Sequence, residues 1–213
     1  MNIDWQPLIE WTEKLGYKLS QEQIKQFHAY HELLLEWNQK INLVSRKDVG
    51  RIIPYHFIDS VSCVSEINKN SIVCDLGSGS GLPGIPIKIV RDDINMYLVE
   101  SIQKKANFLS EAIKNLELKN AVVLNQRAET IRDIKFNVIL VRLFGKIPDV
   151  LPLASKLLSR KGKIIFYKIQ GVEKEIALAD KILKKNNLTL KSVKDIKLPV
   201  TDIIRKLIIY QSL

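Results

Sequence analysis

Cys74-Asp-Leu-Gly-Ser-Gly-Ser-Gly-Leu-Pro-Gly-Ile-Pro86 is the stretch whose reading decides the fold of this chain. Gly77, Gly79, Gly81 and Gly84 fall within eight positions, directly behind the β-prone run Ser71-Ile-Val-Cys-Asp-Leu76. A strand that breaks into glycines and then resumes as an apolar helical segment reads as the first turn of an open α/β sheet. Glycines at that turn let the backbone reverse sharply and approach a ligand. Gly79-Ser-Gly-Leu-Pro-Gly84 also satisfies the G-x-G-x-x-G pattern of dinucleotide sites letter for letter.

The neighbours of the loop sort the ligands. A phosphate-binding P-loop is excluded, because Gly84 is followed by Ile85-Pro86 and not by Lys-Ser/Thr. Asp75 closes the strand two residues before Gly77, where a carboxylate is a poor neighbour for a doubly anionic pyrophosphate. It suits a ligand with an ammonium and a sulfonium, and S-adenosylmethionine carries both. Pro83 and Pro86 remove N–H donors that an anion site at a helix start would keep. Glu100 ends the next run, Tyr97-Leu-Val-Glu100, twenty-three residues after Gly77, where an acid can accept both ribose hydroxyls. Nicotinamide dinucleotides and S-adenosylmethionine both contain adenosine, so Glu100 alone does not choose between them. D-x-G-x-G-x-G followed by that glutamate resembles the cofactor signature of class I methyltransferases.

Working outward, short β-rich runs alternate with amphipathic stretches from Ser71 onward. Strands are expected at Ile72–Leu76, Met96–Glu100, Ala121–Asn125, Phe136–Val141 and Lys163–Lys168. Helices are expected from about Gly84 and over Ile102–Leu116, Asp149–Leu158 and Val172–Lys185. That order predicts a parallel sheet covered by helices on both faces. The closing runs Leu188–Ile196 and Ile203–Tyr210 have no helix between them, so one should lie antiparallel to the rest. Residues 1–70 read as a small helical segment ahead of a donor-binding domain over 71–213. Ser20-Gln-Glu-Gln23 is a capping box before a helical apolar pattern, and a shorter helix is expected over Pro54–Ile67.

Composition bounds the rest. The 213 residues are 46% hydrophobic and 26% charged, enough for one α/β domain with a substantial core. No apolar run has the length of a membrane span, and Met1-Asn-Ile-Asp-Trp-Gln6 lacks the pattern of a signal peptide. A soluble, cytoplasmic protein is expected. Cys63 and Cys74 form neither a disulfide framework nor a metal-ligand spacing. The net charge of +10 is uneven: residues 1–70 carry eight Lys/Arg against nine Asp/Glu, and residues 71–213 twenty-five against fourteen. A basic half can face a polyanion or be a solvated lysine-rich surface, and charge alone does not separate the two.

The extended string Asp75-Leu-Gly-Ser-Gly-Ser-Gly-Leu-Pro-Gly-Ile-Pro86 resembles one family closely, the bacterial small-subunit rRNA guanine-N7 methyltransferases (glucose-inhibited division protein B). Trp37-Asn38, Asn42-Leu43 and His56 with Asp59-Ser60 fit its N-terminal segment. Glu100-Ser101, Lys104-Lys105, Phe108-Leu109, Arg127-Ala-Glu129 and Arg142 with Phe144 follow in the family's order. The resemblance implies a class I methyltransferase fold, Rossmann-like and built on a seven-stranded, mostly parallel sheet. It implies methyl transfer from S-adenosylmethionine to N7 of a guanine in 16S rRNA, of the guanine-527 type. Cofactor contacts are implied at Gly77, Leu82, Ala128, Glu129 and Arg142, beside Asp75, Gly79 and Glu100 from the loop reading. The partner would be 16S rRNA or the small ribosomal subunit, and the protein a monomer. Two positions depart from the family: Leu143 stands where a small residue is usual, and Gln170-Gly171 replaces Lys-Gly, with Lys168 placed to substitute.

The residue inventory agrees with N7 chemistry. Neither cysteine lies where a pyrimidine-C5 methylase needs its nucleophile. The turn Val141-Arg-Leu-Phe-Gly145 lacks the Asn/Asp-Pro-Pro-aromatic pattern of amine methylation. Guanine N7 has a free lone pair and no proton to remove, so no catalytic general base and no metal are expected. His28 and His31 read as packing residues; His56, near Asp59, reads as capping or packing with the active-site mouth as an alternative. Lys104, Lys105, Arg127, Lys146 and Lys168 are the candidate RNA cations. Three alternatives stand beside this reading. One is a nicotinamide-dependent oxidoreductase, one a methyltransferase acting on another RNA base, and one a non-enzymatic RNA-binding protein.

Overall fold

The computed structural model describes residues 4–213. Strands β1 (Ile72–Leu76), β2 (Asn95–Val99), β3 (Ala121–Leu124), β4 (Phe136–Arg142), β5 (Leu158–Lys168), β6 (Leu188–Lys197) and β7 (Ile204–Ser212) form one sheet in the order β3-β2-β1-β4-β5-β7-β6. The first five run parallel, and β7 slots antiparallel between β5 and β6, as the short β6–β7 connection demands. Strand order reverses between β1 and β4, and ligands of such sheets bind at the carboxyl ends beside that reversal.

Alternation along the strands supplies two apolar layers. Val73, Met96, Leu98, Val138 and Leu140 face helices α1 (Gln6–Lys14), α2 (Gln21–Asn38), α3 (Ile58–Val61), α4 (Gly84–Val90) and α5 (Gln103–Asn115). Cys74, Leu76, Ile139, Val141 and Phe166 face α6 (Ile147–Leu157) and α7 (Glu173–Leu183). The N-terminal helices therefore share a core with the sheet: Phe27, Tyr30 and Phe57 are fully buried, with the Tyr30 and Phe57 rings stacked at 5.2 Å. Buried Arg91 fastens this layer, donating to the carbonyls of Val64 (3.1 Å) and Ile67 (2.7 Å) and pairing with Asp93 (2.7 Å).

Helix α2 starts at its capping box, where the Gln23 N–H donates to Ser20 Oγ (3.2 Å) and the Ser20 N–H to Gln23 Oε1 (2.9 Å). The helix expected over Pro54–Ile67 is broken into pieces. A π-helical turn over Ile53–Phe57, closed by the Ile58 N–H on the Ile53 carbonyl, precedes the short α3, and a 3-10 turn over Val64–Glu66 follows. The wide turn has a use: Phe57 and Ile58 enter the core while Tyr55 and His56 reach the end of β4. Among the described residues, no helix is long and apolar enough to cross a membrane.

Candidate active site

The glycine loop is held from below. Asp75 is 1% exposed, and its Oδ2 accepts from the Ser78 hydroxyl (2.7 Å) and the Gly84 N–H (2.9 Å). Burial pushes this carboxyl up to about 6 against the pull of those two donors. Asp75 lines neither cavity at the strand ends, so the expectation that it meets a cationic ligand directly is corrected. It shapes the loop. Gly84 has to be glycine for the same reason: a Cβ there would lie 2.4 Å from Leu98 Cδ2 and 2.7 Å from the Asp75 oxygen. Gly77 adopts φ +72°, with the Phe144 ring where a Cβ would point, 2.2 Å away. Tyr30 supports the loop from α2 by donating its hydroxyl proton to the Ser80 carbonyl (2.5 Å).

Two adjoining cavities open above the loop, of about 360 and 300 Å³, sharing Gly77, Gly79, Lys105 and Leu143 as common walls. The larger is lined by Glu100, Ala128, Glu129, Arg127 and Phe144. Glu100 is fixed there, its Oε2 accepting from the Gly79 N–H (2.9 Å) and its Oε1 from the Ile102 N–H (2.8 Å). Each carboxylate oxygen has a second lone pair for a ligand hydroxyl. Small, buried Ala128 beside half-exposed Phe144 leaves an apolar slot next to that carboxylate. This donor set fits a nucleoside. It brings together Gly77, Gly79, Glu100, Ala128 and Glu129, expected from the sequence to contact one.

The smaller cavity is walled by Leu82 and Arg142, with Leu43, Asp48 and His56 from the N-terminal segment. Arg142, 7% exposed, sits in a buried charge cluster. Its Nε lies 3.2 Å from Asp59 Oδ2, and Asp59, fully buried, also takes Arg205 Nε (2.6 Å) and Nη2 (2.8 Å) from β7. The Arg142 Nη2 donors reach His56 Nδ1 (2.7 Å) and the Tyr55 carbonyl (3.4 Å), and Nη1 reaches Ser60 Oγ (3.3 Å). Burial first, then the Arg142 cation, lowers His56 from 6.5 to about 4, so the ring is neutral. Asp59 and Arg205 are the parts that reading the sequence did not assign to the site. Asp59 was visible only as part of a family pattern, and Arg205 lay in a lysine-rich tail with nothing to mark it.

Of the cations proposed for RNA, Lys104, Arg127 and Lys146 are exposed, and Lys105 is half-buried between the two cavities. Lys168 is a correction. Its Nζ is engaged by Glu175 (2.9 Å) and the Gly145 carbonyl (2.9 Å), so it is not a free cation at the mouth. Both cysteines are buried, and burial pushes Cys63 up to about 12 and Cys74 well above its ordinary value, leaving no thiolate for covalent chemistry.

The fold resembles that of M. jannaschii TYW2 in complex with AdoMet, at TM-score 0.59 and 17% identity, covering 82% of this chain and 80% of that one. It also resembles a precorrin-6y methyltransferase from Geobacter metallireducens, at TM-score 0.54 and 11% identity, over 81% and 92% of the two chains. In sequence, the chain is 34% identical over 208 residues to the ribosomal RNA small subunit methyltransferase G of Lachnoclostridium phytofermentans, covering 94% of this chain and 86% of that protein. The protein of that name from Acetivibrio thermocellus is 35% identical over 209 residues (95% and 86%), and that of Bacillus subtilis 28% over 223 residues (100% and 91%). The family model GidB, rRNA small subunit methyltransferase G, matches residues 23–206. With loop, strand-end glutamate and strand order in one arrangement, the chain belongs to the rRNA small subunit methyltransferase G family.

Proposed function

We propose that this protein methylates N7 of a guanine in 16S rRNA, with S-adenosylmethionine as donor and guanine 527 as the target position. One observation carries the reading: a nucleoside-fitting cavity shares its floor with a second cavity that offers positioning groups and no thiolate. When bound, S-adenosylmethionine supplies an electrophilic methyl on a sulfonium. Everything else is placement. Glu100 orients the nucleoside end through its free lone pairs, and the Gly77–Gly79 floor, lacking side chains, allows close approach. Arg142, anchored by Asp59, fixes the wall against which the target base sits. N7 carries its own lone pair, so no side chain has to remove a proton. Holding it in line with the methyl supplies ~7–11 kcal/mol by positioning alone. The base has to leave its stack to enter, or be presented in an open loop.

We further propose that residues 1–70 form the target-side wall and 71–213 the donor-binding unit. On this reading the protein acts as a monomer in the cytoplasm on the small subunit or its RNA, with Lys104, Arg127 and Lys146 on phosphates. The deciding experiment treats 16S rRNA from a deletion strain with the protein and donor, then maps N7-methylguanosine by borohydride–aniline cleavage. A single donor-dependent cleavage at the target guanine is expected. Calorimetric binding of NAD with no response to S-adenosylmethionine would overturn the reading in favour of a dehydrogenase.

A further inference from the structure

His56 lines the smaller cavity, and its buried Nε2 has no hydrogen-bond partner. The nearest carboxylate oxygen, Asp48 Oδ2, is 3.8 Å away, beyond bonding distance. Its protonation follows from the other side of the ring. Arg142 Nη2 stands 2.7 Å from Nδ1, and a guanidinium can only donate, so Nδ1 accepts. The proton of the neutral imidazole is then on Nε2, pointing away from Arg142. A buried donor without an acceptor is costly in a folded protein, and one on a residue beside a cavity calls for a ligand that can reach it.

We propose that His56 Nε2–H is the group that reads the target base as guanine, by donating to its O6; the proposal rests on the N7 reading above. The edge of guanine that carries N7 carries O6 beside it, both acceptors, whereas adenine offers N7 with a donor amine in the O6 place. N7 has to remain free for the methyl, so recognition at this edge falls to O6. A single N–H donor accepts guanine and opposes adenine, donor against donor. Neutrality matters too. The base becomes cationic as N7 is methylated, and an uncharged donor aids recognition without adding like charge beside it. Arg142 is less suited: it carries a full positive charge, and its Nη2 protons are taken by His56 and the Tyr55 carbonyl, with Nη1 on Ser60 holding one further N–H. Asp59, paired with Arg142 and Arg205, is the positioning residue that keeps this donor aimed.

The test is a cycle of protein and substrate changes. Wild type, His56→Phe and His56→Gln are each given reconstituted 16S rRNA carrying guanine or 2-aminopurine at the target. 2-Aminopurine keeps N7 and lacks O6. Wild type should lose roughly ten- to a hundredfold in kcat/KM on 2-aminopurine. His56→Phe should lose a similar factor on guanine and nothing further on 2-aminopurine, while binding S-adenosylmethionine as wild type does. His56→Gln, which restores an N–H donor, should recover part of the discrimination. Losses that multiply, or a wild type indifferent to O6, would overturn the proposal and leave His56 as a structural partner of Arg142. If His56→Phe does not fold, His56→Ala, which also lacks a donor, decides: a guanine to 2-aminopurine ratio as large as that of wild type overturns it. Failure of wild type to methylate guanine at all would instead sink the N7 reading itself.

Discussion

The wall proposed to face the nucleoside and the wall proposed to face the target differ in what holds them in place. The first is mostly backbone. Gly77 and Gly79 line it, Glu100 is pinned by two main-chain N–H groups within two residues of itself or across one loop, and Asp75 sits underneath as a brace. The second is side chains drawn from distant segments: His56 and Asp59 from the N-terminal helices, Arg142 from β4, Arg205 from β7. A backbone cradle tolerates change in everything except the residues that would fill it. A charge cluster fails when any one member is removed, because the others are left buried and uncompensated.

Asp59→Ala should therefore have the largest effect on stability. It leaves two guanidiniums facing each other without their shared carboxylate, at a cost of about 3–5 kcal/mol in chemical denaturation. If the variant unfolds at the wild-type denaturant midpoint, the target wall is not built as described. Gly77→Val attacks the other wall. A β-branched residue at φ +72° is strained by about 1–3 kcal/mol, and its side chain displaces Phe144 into the nucleoside cavity. Donor binding should fall below detection in calorimetry, and undiminished affinity would remove the loop from the site.

Acid titration separates the walls by sign. His56 is lowered from 6.5 to about 4, so the unfolded chain binds the extra proton more readily. Its contribution is intact above about pH 6.5 and is lost as pH falls toward 4, by about 3 kcal/mol at most. Asp75 acts oppositely: raised from 3.8 to about 6, it favours the fold below about pH 4, and that advantage disappears as pH rises through 6. Comparing wild type with His56→Gln isolates the histidine. The variant should lose less stability between pH 7 and 4, and parallel curves would refute the assignment of that shift. The smallest effect is expected at the rim. Lys104→Glu should lower the slope of log K against log salt for RNA by about 1, leaving donor affinity alone. Unchanged salt dependence would move the RNA face elsewhere.

The same contrast explains what could be read from the sequence. Gly77, Gly79, Glu100 and the alternation of strands and helices were legible because each is local: a strand end, a turn, a fixed number of residues to the next strand tip. The antiparallel β7 followed from a connection too short to cross over. Asp59 and Arg205 meet across 146 residues of chain, and nothing in a run of basic residues near β7 distinguishes the one arginine that turns inward. Asp75 was placed at the right strand end, but alternation could not say whether its carboxylate looked up at the ligand or down at Ser78. Lys168 failed for a similar reason, since its partner Glu175 comes from the following helix and is invisible to strand periodicity. The break in the helix over Pro54–Ile67 was equally hidden, because tertiary demand at Arg142 overrode a regular local pattern.

Arg205 reaches the cluster from β7, the strand that enters the sheet after all six others have been synthesised. A chain growing on a ribosome at ~5–20 residues per second contains the glycine loop, Glu100 and Phe144 well before that guanidinium is added. Until then Asp59 faces Arg142 alone, one carboxylate to one guanidinium, and both of its contacts to Arg205 are unmade. The charge cluster beside the smaller cavity is therefore the last part of the site to be completed, with the closing strand.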